Sequence, residues 1–324
     1  MGAHPCWEFL YVLDVITGFA IIFVVISAGY VLAHRGVIGP GEQRLMFNRV
    51  AYWVASPSLL FTTVAKSDTS TFLSPVVVVV FLATAVTMAV FWGISTVFFK
   101  ADVPTRMAGA ASASYFNSVN IGLPIAIYVI GDATYVAPVL LMQMVIISPV
   151  VIAGLDVNPD SDGSRKQNVL KAVKSGITAP VVVAPLAGLA VSAAGWTVPA
   201  PVMEPLEILG GASIPMILMS FGASLRGGSV LAKGPDRPAT ITASALKLAF
   251  MPAIAWLLGF AAGLEGTALY AAVILSALPT AQNVYNYTAN YQAGETVARD
   301  TVFITTFASL PAMIIIALLF GKGI

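Results

Sequence analysis

The chain has 324 residues, 58% of them hydrophobic and only 10% charged, with a mean hydropathy of +0.89 and a formal net charge of +1. A soluble domain carries roughly 25% charged residues, so a water-soluble fold is excluded, and the near-neutral balance argues against a nucleic-acid partner. The single cysteine, Cys6, excludes an intrachain disulfide and a Cys-rich metal site, and the two histidines, His4 and His34, flank the first apolar run as loop or interfacial residues.

This is the composition of an all-α, polytopic membrane protein. A bilayer core of about 30 Å takes about 20 helical residues. Cuts at polar and Gly/Pro clusters predict ten spans, at about 10–33, 43–65, 72–99, 105–130, 133–155, 168–194, 202–226, 239–262, 266–290 and 296–320. The runs are continuous, without the alternation of membrane strands. The first lacks the basic start and small-residue cleavage site of a signal peptide and reads as a retained span, with Asp14 near its outer end.

Span two carries "ASPSLLF", with Ser56 and Pro57. Span four carries "FNSVNIGLP", in which Asn117, Asn120, Gly122 and Pro124 interrupt an apolar stretch. Proline has no N–H and clashes with the preceding turn, and glycine weakens the helix beside it, so this span is expected to break near Pro124. Span five holds Gln143 and Pro149, and a hydrophilic linker follows at 156–167. Span seven carries "SIPMILM", with Ser213 and Pro215, and span eight holds Lys247. Span nine carries "ALPTAQNVYNYTANY", with Pro279, Gln282, Asn283, Tyr285 and Tyr287, and is expected to break at Pro279. Tyr285 and Tyr287 are candidates to line a cavity.

Fourteen of the sixteen basic residues fall on one side of this arrangement, and only Lys66 and Lys322 on the other. Basic residues mark the cytoplasmic side, so both termini are expected outside. Prolines recur about half a chain apart: Pro57 with Pro215, Pro124 with Pro279, Pro149 with Pro311. Five spans per half force a duplicated half to insert upside down. The expected fold is therefore two inverted five-helix repeats, 1–155 and 168–324. Helices four and nine, broken at Pro124 and Pro279, cross at mid-membrane.

Broken backbone at membrane depth is tolerated only against protein or a water-filled cavity, and matched breaks in inverted halves point to a carrier's central site. Half-helix N-termini near Gly122–Pro124 and Pro279–Asn283 aim free N–H groups and positive dipole ends at the crossing. Asn117, Asn120, Gln282 and Asn283 add amide donors, and no basic residue is expected near the middle of a span. A small organic anion is the expected cargo, although half-helix carbonyls can equally bind Na⁺. Gln143 is placed facing the crossing or a neighbouring helix. Asp14 and Lys247 are the candidate coupling groups, with Na⁺ or H⁺ as the ion; Lys247 also lies close enough to the cytoplasmic face to snorkel.

At "NSVNIGLP" and "ALPTAQNVYNYTANY" the chain resembles the auxin efflux carrier family, specifically its bacterial permeases, which include malonate and malate carriers. The resemblance extends across all ten spans and includes "ARDTVFITTFASLP". It implies a fold shared with sodium–bile acid symporters and a scaffold of spans one, two, six and seven. Beside it a mobile bundle moves in an elevator-like manner, often within a homodimer in the cell (inner) membrane. Substrate is implied near Asn117, Asn283 and both prolines, with Ser56 and Ser213 as contributors. The short linker, unlike the long central loop of many plant members, argues against auxin itself.

An enzyme is not expected: there is no mid-membrane histidine, paired Asp motif, H-E-x-x-H or P-loop signature. No metal or cofactor is called for. A ligand- or sterol-sensing receptor on the same fold, or a Na⁺-coupled symporter of a larger organic anion, are the alternatives.

Overall fold

The computed structural model describes residues 20, 23–39, 41–66, 74–122, 125, 136–157, 174, 177–227, 230–231 and 234–320. Asp14, Pro124 and nearly all of the 156–167 linker lie outside them, as does the side chain of Asn120. Every named element among the described residues is helical, and extended backbone pairs only in an isolated antiparallel bridge between Phe116 and Thr280.

In chain order the helices are α1 (Phe23–His34), α2 (Glu42–Val50, continuing to Ser56–Ala65), α3 (Pro75–Phe99) and α4 (Val103–Ser114). Then come α5 (Val136–Met142, continuing to Ser148–Leu155), α6 (Pro180–Ala193), α7 (Ala200–Ser224) and α8 (Asp236–Ala261). The last three are α9 (Gly266–Ala277), α10 (Gln282–Tyr291) and α11 (Glu295–Phe320). Five helical stretches are long and apolar enough to cross a membrane: α3, Pro138–Leu155 of α5, α7, α8 and Glu295–Ile316 of α11. The segments α1, α6 and α9 are shorter apolar helices. Large apolar side chains such as Trp53, Phe98, Trp196, Ile208, Phe260 and Leu319 stand exposed. Exposed apolar surface on this scale marks an interaction surface, and hydrocarbon is its natural solvent here.

Proline shapes several of these helices. Three of them widen into a π-turn just before a proline: Ala51–Ala55 ahead of Pro57, Gln143–Ile147 ahead of Pro149, and Leu246–Phe250 ahead of Pro252. The missing N–H and the ring's clash with the carbonyl four residues back are absorbed by the wider turn, so the helix continues. At Pro279 the outcome differs. Leu278 takes the extended conformation that a following proline favours (φ −54°, ψ 146°), and α9 stops at Ala277.

The helices sort into two packed groups. In the first, α6 and α7 lie against α2. Helix α1 meets α7 backbone to backbone: a Cβ added to Gly29 would come within 2.1 Å of the Met219 carbonyl oxygen, and one on Gly222 within 1.9 Å of that of Ile26. Small residues at such crossings give membrane helices close van der Waals packing. In the second group α3, α4, α8, α9 and α11 pack on one another, with α5 against α4. Helix α10 belongs to the second group through α11 and forms the seam to the first through α2 and α7.

Candidate functional site

Helix α4 ends just after two hydroxyl residues that turn back on it. Ser112 and Ser114 donate back to the carbonyls of Ala108 and Ala110 (both 2.7 Å), which loosens a helix. Tyr115 is then extended (φ −80°, ψ 113°). The break therefore falls at Tyr115–Asn117, upstream of the expected Pro124, and a π-turn at Ser118–Gly122 follows. The half-helix N-terminus expected at Gly122–Pro124 lies at the edge of the described residues; the Gly122 N–H is already bonded to the Asn117 carbonyl (2.9 Å).

The two breaks satisfy each other. The Asn117 N–H donates to the Pro279 carbonyl (2.9 Å), and the Ala281 N–H donates to the Tyr115 carbonyl (3.0 Å). The Phe116 carbonyl accepts from Gln143 Nε2 (2.9 Å). The Thr280 N–H donates to Thr305 Oγ1 (3.0 Å), and its hydroxyl donates to the Ser112 carbonyl (2.7 Å). Unwound backbone at membrane depth needs such partners within the protein.

Beside this junction is a small cavity of about 30 Å³. Its lining includes Asn117, Ser118, Gln282 and Asn283 on one side, and Ser56 of α2 and Ser213 of α7 on the other. Ser56 and Ser213 hydroxyls hydrogen-bond each other at 2.8 Å. Asn117 Nδ2 donates to Gln282 Oε1 (2.6 Å), while Gln282 Nε2, in a residue only 2% exposed, has no partner among the described residues. Helix α10 starts at Gln282 with no side-chain cap; the Ala281 N–H is bonded to Tyr115 and the Val284 N–H to the Ala281 carbonyl (3.0 Å), which leaves the N–H groups of Gln282 and Asn283 as the open donors among the described residues. The cavity wall is thus rich in donors, at the positive end of a helix.

Of the residues singled out in the sequence, Asn117, Gln282, Asn283, Ser56 and Ser213 meet at the cavity, and Pro279 supplies the neighbouring break. Gln143 supports the break from behind, accepting from Ser118 Oγ (2.7 Å) and donating to Phe116. Gly122 serves the π-turn. Tyr287 lines the cavity, whereas Tyr285 turns away to Arg44 and Glu295. Phe116, Ser118, Met144 and Thr280 were missed; Phe116, Ser118 and Thr280 lie inside the quoted motifs, whereas Met144 has no local signal in an apolar chain.

The largest correction concerns Lys247. It is 0% exposed and does not snorkel: Nζ donates to the Ser276 carbonyl (2.7 Å) and lies over the Phe116 ring, 5.4 Å from its centroid. A basic residue therefore does reach the interior, behind the junction. The π-turn at Leu246–Phe250 carries its side chain inward. Among the described residues no three His, Cys, Asp or Glu side chains gather to hold a metal.

Comparison with known proteins gives two matches. A family model described as "Membrane transport protein" matches residues 14–317. A protein of Rhizobium meliloti (strain 1021), named "Putative malonate transporter", is 24% identical over 308 residues, covering 91% of this chain and 92% of its own length.

Proposed function

The chain belongs to the membrane transport protein family, and from that premise we propose that it is a secondary-active carrier of a small organic anion. The cargo class is a mono- or dicarboxylate such as malonate, malate or an auxin-like acid, held where the breaks of spans four and nine meet. The observation that carries this reading is the donor-rich cavity wall. The open N-terminus of α10, the unpartnered Gln282 amide, Asn117, Asn283 and the Ser56–Ser213 hydroxyls all border one cavity. Neutral donors and a helix dipole stabilise a carboxylate by about 0.3–1 kcal/mol per helix end, up to about 2 when partly buried, which suits a carrier that must release its cargo. The name of the R. meliloti relative supports a dicarboxylate.

In this reading repeats 1–155 and 168–324 are inverted, the breaks cross at mid-membrane, and α1, α2, α6 and α7 form the scaffold. The remaining helices move as an elevator in the inner membrane, with both termini outside. Cysteine labelling at Ser161 and Lys322, with Cys6 replaced, is expected to report opposite sides; same-side labelling would overturn the inverted repeat.

The deciding experiment is counterflow of labelled organic acids in proteoliposomes of the purified chain, with and without Na⁺ and proton gradients. Counterflow of malonate or a close analogue is expected. Binding without counterflow would indicate a receptor, and failure across organic acids would end the anion-carrier reading.

A further inference from the structure

Lys247 lies in the π-turn of α8 that packs against α3, α4, α9 and α11. Its ammonium meets three neutral acceptors: the Ser276 carbonyl (2.7 Å), Met251 Sδ (3.1 Å) and the face of Phe116. Helices α3 and α9 carry no Asp, Glu, Lys or Arg, and Tyr270 is the one titratable group of α9. On α4, Arg106 donates to the Ala101 carbonyl. On α11, Glu295 pairs with Arg44 and Asp300 with Arg299. On α8 itself, Asp236 and Arg237 stand at the first turn, about three helical turns before Lys247. No ion pair of Lys247 is recorded among the described residues.

A buried charge held only by neutral groups is costly unless something else compensates it. Two features of its place do so. Ser276 is in the last turn of α9, where carbonyls lack intrahelical donors and the dipole is negative, the kind of end that coordinates Na⁺ in carriers with broken helices. Phe116, beneath Nζ, also borders the cavity, so an anion there would lie across one side chain from this amine and would favour its charged form. The Ser276 hydroxyl, buried and without a partner among the described residues, adds a further unused polar atom to the same turn.

We propose that the Lys247 ammonium is a tethered counter-cation of the junction: it holds the C-terminal end of α9 against the break at Phe116, occupies the place of a diffusible coupling cation, and makes anion binding independent of Na⁺. The inference rests on the reading of the cavity as an organic-anion site. Lys247 is here a positioning residue, acting through Ser276 and Phe116.

The test has two arms on the purified full-length chain. In the first, labelled malonate uptake into proteoliposomes is compared in Na⁺ and in choline, and equal initial rates are expected. Lys247→Met, similar in shape but neutral, is expected to weaken malonate binding at least tenfold, with Lys247→Arg retaining most of it. The second arm needs no substrate. Lys247→Ala is expected to melt below the parent and to be restored by methylammonium but not by methanol, whereas the parent's melting is indifferent to Na⁺. Uptake that collapses in choline, parent-like binding by Lys247→Met, or no recovery by methylammonium would overturn the proposal. If the parent binds no organic acid, the anion-site reading fails, and the melting arm still decides whether Lys247 fills a cation site.

Discussion

At Asn117 the amide donates to Gln282 Oε1, leaving Gln282 Nε2 without a partner among the described residues in a nearly sealed place. A buried unsatisfied donor costs roughly 1–3 kcal/mol, so on the proposed reading the arrangement trades stability for a donor that cargo can use. Gln282→Met removes that donor along with the acceptor of Asn117. The variant is expected to change thermal stability little, because Asn117 Nδ2 loses its Gln282 acceptor as the Nε2 donor is removed, while binding malonate about tenfold more weakly, about 1.4 kcal/mol. Melting and binding measured on one preparation would expose a parallel loss, which would make Gln282 a structural residue. Aspartate at Asn117 or Asn283 tests the sign of the cargo. A carboxylate there repels an anion in a poorly screened cavity, whereas alanine only deletes a donor. Both Asp variants should therefore bind malonate more weakly than the Ala variants. At position 117 the Gln282 amide can turn to donate to the new carboxylate, which limits any folding defect. Equal behaviour of Asp and Ala would argue for a cationic or neutral cargo.

Among the elements, the two breaks differ in what causes them, and that difference decides which could be read from the sequence. The break at Pro279 carries a local signal: a proline favours an extended residue before it, as Leu278 is, although Pro57, Pro149 and Pro252 follow helical residues and leave their helices continuous. The break at Tyr115–Asn117 is largely non-local. Its Tyr115 carbonyl and Asn117 N–H leave the helix to pair with Ala281 and Pro279, and no spacing within "SYFNS" announces that partner. The apolar runs of α3, α7, α8 and α11 were legible for the same reason as Pro279, since hydropathy is a local property. Lys247 was misread because hydropathy says nothing of side-chain direction, which the π-turn before Pro252 sets. Pro279→Ala restores an N–H and lets α9 continue toward α10, displacing the donor end of α10 from the cavity. The Thr280 bonds to Ser112 and Thr305 resist this, so a partial effect is expected, a three- to tenfold loss of malonate binding by the arithmetic of about 1 kcal/mol. Pro311→Ala, within α11 and away from the cavity lining, is the control and should bind like the parent.

For the whole molecule, the decisive quantity is the cavity of about 30 Å³. A water needs roughly 10–15 Å³ on the same measure, so there is room for about two waters and none for a dicarboxylate. On the proposed reading, cargo enters when the two helix groups separate where Ser56 and Ser213 face Asn117 and Asn283. Toward the α2 N-terminus the seam between the groups is held by polar pairs and by edge contacts of Tyr52 with Tyr287 and Tyr291 and of Phe221 with Tyr285. Arg44 of α2 pairs with Glu295 of α11 at 2.5 Å and touches Tyr285, and the Tyr52 and Tyr291 hydroxyls lie 3.3 Å apart. A part-exposed pair of this kind contributes on the order of 1 kcal/mol, weak enough to break in each cycle. Cysteines at Arg44 and Glu295, in a chain with Cys6 replaced, join opposite groups when bridged by a short bis-maleimide. Bridging is expected to abolish uptake, whereas each single-cysteine variant treated alike should transport. A second pair joined within one group, at Lys66 of α2 and Glu207 of α7, which pair with each other across the first group, should leave uptake nearly intact. If the Arg44–Glu295 bridge transports as well as the Lys66–Glu207 bridge, then the two groups do not move apart along α10, and cargo must reach Gln282 by another path.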